Sequence, residues 1–109
     1  MDRLAQLFSF LELDANDAFT LYSIAYEYVQ SGNLAEGIVY FERLLAMHPE
    51  YVGAYYHLAK CYQRTNQPEK AAASYEKGME IAEKKKDFHA LSELKNAYLN
   101  FEMGLDDEE

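Results

Sequence analysis

Residues 18–49 read AFTLYSIAYEYVQSGNLAEGIVYFERLLAMHP, and residues 52–83 read VGAYYHLAKCYQRTNQPEKAAASYEKGMEIAE. Laid on one another at an offset of 34 residues, they repeat the same apolar pattern. Leu21, Ile24, Ala25 and Tyr28 fall on Tyr55, Leu58, Ala59 and Tyr62, and Gly37, Phe41 and Leu44 fall on Ala71, Tyr75 and Gly78. A period of this length is the mark of stacked supersecondary units, each too small to bury its own apolar face.

Each unit reads as two helices. In the first, 18–30 buries Leu21, Ile24, Ala25 and Tyr28 on one stripe, with Asn16 or Asp17 placed to cap it. Ser31-Gly32-Asn33 stops it, because Gly32 can take the left-handed conformation that closes a helix. Residues 34–47 return with Ile38, Phe41, Leu44 and Leu45 facing inward, up to His48-Pro49-Glu50. The second unit repeats this as 51–64 and a return helix that opens at Pro68 and runs into Lys84-Lys85-Lys86. Asn66 stands where Gly32 stood, and asparagine is the next best residue for that backbone conformation. The lysine run suits a helix C-terminus, where cations meet the negative end of the macrodipole.

The ends carry half-units. Shifted back by 34, Leu4, Leu7, Phe10 and Leu11 fall under Ile38, Phe41, Leu44 and Leu45, so residues 3–13 read as a second helix with no first, and Asp2 is placed to cap it. At the other end the offset becomes 36: Phe88, Leu91, Leu94 and Tyr98 fall under Val52, Tyr55, Leu58 and Tyr62. Asp87 is placed to cap this last helix, and Lys95 replaces the small residue of Ala25 and Ala59, as suits a helix with no following partner. The expected division is a leading half-unit over 1–14, units over 17–49 and 51–85, a closing helix over 87–103, and a frayed acidic tail over 104–109, all in one all-α domain of about six helices.

Composition narrows the function. The net charge is −9, with eight acids against two bases in residues 1–50 and four more acids at 106–109. Such a chain repels phosphate backbones, so neither nucleic acid nor an anionic membrane is an expected partner. No apolar run approaches a membrane span, and the acidic start Met1-Asp2 does not resemble a signal peptide. The lone Cys61 fits a reducing, cytoplasmic setting. His48, His57 and His89 are scattered, and no phosphate loop, nucleophile elbow or paired-histidine motif is present, so no catalytic residue, cofactor or metal is expected.

The two units resemble the tetratricopeptide repeat family. The first carries that family's pattern as Leu21, Ile24, Ala25, Tyr28, Gly37, Phe41, Leu44 and Pro49. The second carries it as Tyr55, Leu58, Ala59, Tyr62, Ala71, Tyr75 and Gly78, with Glu83 where proline is expected. The resemblance implies a right-handed superhelical α-solenoid of antiparallel helix pairs whose first helices line a concave groove. It implies a non-enzymatic scaffold or adaptor whose groove takes a peptide or helix of another protein. Carried over position by position, the groove residues are Phe19, Tyr22, Tyr26 and Val29, then Tyr56, Lys60, Gln63 and Arg64, then His89, Ser92, Asn96 and Asn100. Members that hold acidic C-termini use a clamp of Lys, Asn, Asn, Lys and Arg. Here those slots hold Tyr22, Tyr26, His57, His89 and Glu93, so that clamp is not formed.

Tyr22, Tyr26 and Tyr56 lie off the buried stripe; tyrosine is a residue type enriched at interfaces, and the alternative is that the three shield the groove edge or pack on neighbouring helices. Lys60 and Arg64 lie one helical turn apart beside Tyr56 and suit either a ligand carboxylate or the acids of neighbouring helices. The alternative to a groove binder is a homodimer paired through the terminal helices, which leave the stack open at both ends.

Overall fold

The computed structural model describes residues 2–105, so Met1 and the acidic run Asp106–Glu109 of the expected tail lie outside the described residues. Those residues form six helices: α1 Arg3–Leu13, α2 Ala18–Gln30, α3 Leu34–Met47, α4 Val52–Arg64, α5 Pro68–Lys85 and α6 Phe88–Glu102. Successive helices pack on one another, and α4 also meets α6, so α2 with α3 and α4 with α5 are the two complete pairs.

The helix ends follow from local chemistry. Asp17 caps α2, taking the Thr20 N–H at 2.9 Å and the Thr20 hydroxyl at 2.6 Å, and these bonds hold its carboxyl below the usual aspartate range. Asp87 does the same for α6 through the Ala90 N–H at 3.1 Å. Asp2, the expected cap of α1, makes no such side-chain bond. Four helices close in one way: Gly32, Asn66, Lys86 and Gly104 take positive φ of 87°, 61°, 59° and 73°. The next N–H then reaches back five residues, from Asn33 to Tyr28, Gln67 to Tyr62, Asp87 to Ala82 and Leu105 to Asn100, at 2.8–2.9 Å. Gly104 is therefore not a frayed residue but the end of α6. Lys86 marks where the 34-residue period gains two residues: α5 runs past the point at which α3 stopped before Pro49 and needs a closure of its own.

Small residues set how closely the paired helices approach. A Cβ added at Gly37 of α3 would come 2.6 Å from a Val29 methyl and 3.3 Å from the Ala25 carbonyl of α2. In the second pair Ala59 and Ala71 are fully buried. A Cβ at Gly78 would meet Tyr55 Cβ at 2.7 Å and both Leu94 methyls at 3.2 Å, so this glycine is what lets α6 sit on α4 and α5. Around these seams lie two apolar clusters, one built on Leu7, Leu21, Ile24, Phe41, Leu44 and Leu58, the other on Val52, Tyr75, Ala82 and Leu94. Lys95, as expected of a closing helix, is exposed, while Phe88, aligned with buried Val52, is 64 % exposed.

One contact recurs along the stack. The Tyr62 hydroxyl donates to Glu42, and the Tyr98 hydroxyl donates to Glu76 at 2.6 Å. Both phenols are pushed up, Tyr62 first by burial and Tyr98 first by its hydrogen bond. In the leading half-unit Phe8 occupies the slot of Glu42, and there Tyr28 meets the Phe8 ring instead.

Candidate peptide-binding face

The first helices α2, α4 and α6 share one face, and its centre is His57 on α4. The imidazole lies flat on Phe41 of α3 at 5.8 Å between centroids and 7° between planes. Tyr22 and Tyr26 of α2 approach it edge-on at 5.8 Å each, and Tyr56 at 5.4 Å. Tyr22 and Tyr26, one turn apart, stack with 14° between planes, and Tyr51 leans on Tyr22 from the start of α4. Burial pushes the His57 pKa down, against an opposing pull from Glu93, so the ring is neutral at pH 7. Burial likewise pushes the Tyr22 phenol up.

Beside this cluster a cleft of about 430 Å³ opens between α4 and α6, lined by Tyr56, His57, Lys60, Glu93, Asn96, Ala97 and Asn100. The Lys60 ammonium lies 5.7 Å from the centre of the Tyr56 ring. Glu93 faces the cleft from α6 and pairs with His89 at 3.3 Å. The face thus offers aromatic area, one cation, one anion and two amide side chains suited to a peptide backbone.

Tyr22, Tyr26, Tyr56, Lys60 and Asn96 of the expected set are brought together here, with Asn100. Phe19, Gln63, Arg64 and His89 of that set do not line the cleft. Phe19 is 64 % exposed in the first turn of α2. Gln63 accepts a hydrogen bond from the Tyr75 hydroxyl of α5 and borders a separate hollow with Asn66, Pro68, Phe101 and Gly104. Arg64 is exposed in the last turn of α4, and His89 projects from the first turn of α6. His57 is what the sequence reading missed as a centre of the face. A signal was available, since Tyr56-His57 falls one turn from Lys60 and opposite Tyr22 in the repeat alignment.

Cys61 is buried, and burial raises its thiol pKa to about 11, leaving it a poor nucleophile. Among the described residues no group of three His, Cys, Asp or Glu is gathered as metal ligands, and no helix is long and apolar enough to cross a membrane. A second cleft, of about 480 Å³, opens on the return helices between α3 and α5, over Tyr55, Leu58 and Tyr62.

Comparisons with known proteins agree with this architecture. The tetratricopeptide repeat family model matches residues 28–95. A comparison with curated proteins finds no match. Among solved structures, a tetratricopeptide repeat domain protein from Salinibacter ruber is 38% identical, with a TM-score of 0.78 over 88% of this chain and 96% of its own. The type III secretion translocator chaperone SycD of Yersinia enterocolitica superposes with a TM-score of 0.85 at 13% identity, over 93% of this chain and 70% of that one. PcrH, solved in complex with the chaperone binding region of PopD, gives 0.85 at 12% identity, over 94% and 78%. The last two likenesses are of fold alone. The paired helices, their period and the match over 28–95 agree: the chain belongs to the tetratricopeptide repeat family.

Proposed function

We propose that this protein is a non-enzymatic interaction module that binds an extended or helical segment of another protein along the concave face shared by α2, α4 and α6. The observation that carries this reading is the gathering of Tyr22, Tyr26 and Tyr56 around His57 at the edge of the cleft. Stiff aromatic side chains with polar tips supply contact area at low entropic cost. PcrH, of similar fold, holds a segment of another protein, which supports the same use of the architecture here. The net charge of −9 counts against nucleic acid and anionic membranes, and the lone buried thiol suits a reducing cytoplasm. The expected ligand places an apolar or aromatic anchor against Tyr22, Tyr26 and Tyr56 and one carboxylate toward Lys60, with affinity near micromolar, about −8 kcal/mol.

The test is selection of peptides from a random phage library on the folded protein, followed by titration calorimetry. Tyr56→Ala is expected to weaken the selected peptides by roughly 1–2 kcal/mol as a central anchor. Val39→Ala, on exposed surface of α3, should leave binding unchanged. Equal affinity for wild type and Tyr56→Ala would remove the face from consideration.

A further inference from the structure

The cleft between α4 and α6 holds two opposite charges on opposite walls. On the α4 wall Lys60 lies over the Tyr56 ring, 5.7 Å from its centre. On the α6 wall Glu93 meets His89 at 3.3 Å, a contact that is ionic only when the imidazole is protonated. Glu93 also acts across the cleft, since its charge raises the proton affinity of His57 against the larger effect of burial. Of the described residues that line the cleft, Glu93 is the one acid.

The repeat register spaces the two charges. At the offset of 36, Glu93 falls on His57 and Asn96 falls on Lys60, so the anion stands one helical turn before the cation. One turn rises about 5.4 Å and packed helices stand roughly 9 Å apart, which separates the charges by about 10 Å. An extended segment covers that distance in about three residues. The surroundings favour a cationic ligand near Glu93. The α2 side of the face has no lysine or arginine, and residues 1–50 carry eight acids against two bases in a chain of net charge −9. Such a field draws a basic segment in and holds an acidic one off. The Glu93 side chain is 61% exposed, so a pair made there adds little affinity but still discriminates between ligand charges.

We infer that Glu93 selects a basic residue of the partner, so that the segment bound on this face carries a lysine or arginine about three residues from the acid that meets Lys60. The inference rests on the binding face proposed above. Its test is selection of peptides from one random phage library on wild type and on Glu93→Lys, followed by titration calorimetry. Wild-type peptides are expected to hold lysine or arginine at one place, and Glu93→Lys peptides aspartate or glutamate there. Changing that basic residue to glutamine should weaken binding to wild type about fivefold and leave binding to Glu93→Gln unchanged. Glu93→Lys should bind the original basic peptide about tenfold more weakly than wild type does. Glu93 is exposed, so both variants are expected to keep the helical circular dichroism of wild type. Wild-type peptides that weaken on Tyr56→Ala yet carry no basic residue would overturn this inference alone, as would an equal loss on wild type and Glu93→Gln. Peptides indifferent to Tyr56→Ala would overturn it together with the face on which it rests.

Discussion

The imidazole of His57 and the phenyl ring of Phe41 stack in parallel, with centroids 5.8 Å apart and planes within 7°. Phe41 is fully buried in the first pair, whereas His57 opens onto the cleft of the second. The pair therefore ties the floor of the proposed binding face to the core of the stack. A change at either ring is expected to reach both stability and recognition.

That link has a pH signature. Burial holds His57 below its ordinary value of 6.5 in the folded chain. Below that value the unfolded chain takes up a proton that the folded chain refuses. Stability that is full above pH 6.5 therefore falls on acidification, by at most about 1.4 kcal/mol per pH unit. Asp17, whose carboxyl is lowered from 3.8, adds its loss only in more acid solution, so the two windows separate. Urea unfolding between about pH 7 and pH 5 should show a falling midpoint in wild type and a flatter one in His57→Phe. An unchanged midpoint in wild type would contradict the assignment.

A glycine in open space and the small residues of the seams should respond in opposite directions. Gly53, in the first turn of α4, has open space around it, so Gly53→Ala is expected to stabilise by up to about 1 kcal/mol through helix propensity. Gly78→Ala places a carbon against Tyr55 and Leu94, and Ala59→Leu overfills a fully buried crossing. Each is expected to cost about 1–3 kcal/mol. Thermal unfolding of the three variants measures this, and a Gly78→Ala protein as stable as wild type would argue against the seating of α6.

Removing α6 should be severe. A chain ending at Asp87 loses Leu94, Ala97, Tyr98 and Phe101, and uncovers Tyr75, now fully buried between them. The expected outcome is a loss of cooperative unfolding and a fall in helical circular dichroism. A soluble, fully helical truncation would show that α6 does not close the stack.

Much of this architecture was legible because strong punctuation falls at three of the joints. Gly32, Pro49, Asn66 and Pro68 delimit the helices, and the observed bounds of α1, α2 and α3 are those the periodicity predicts. What was not legible depends on contacts distant in the chain. Tyr51 reads as the first residue of α4, yet the helix begins at Val52, with the Tyr51 ring leaning on Tyr22. Lys86 gives no glycine signal for its left-handed turn, and only the two extra residues around it hint that α5 needs a separate ending. Gln63 sits in a groove slot by register, but Tyr75 from its hairpin partner engages it. His57 gains its position from rings on α2, α3 and α4 at once, which no single helix pattern encodes.

The central claim is that a partner segment lies on the face of α2, α4 and α6, and amide chemical-shift mapping with a selected peptide tests it most directly. The account predicts that the largest shifts fall on residues 22–26, 56–60 and 93–100, around Tyr22, Tyr26, Tyr56, His57 and Asn96. Shifts concentrated instead on the return helices 34–47 and 68–85, over the cleft between α3 and α5, would contradict it.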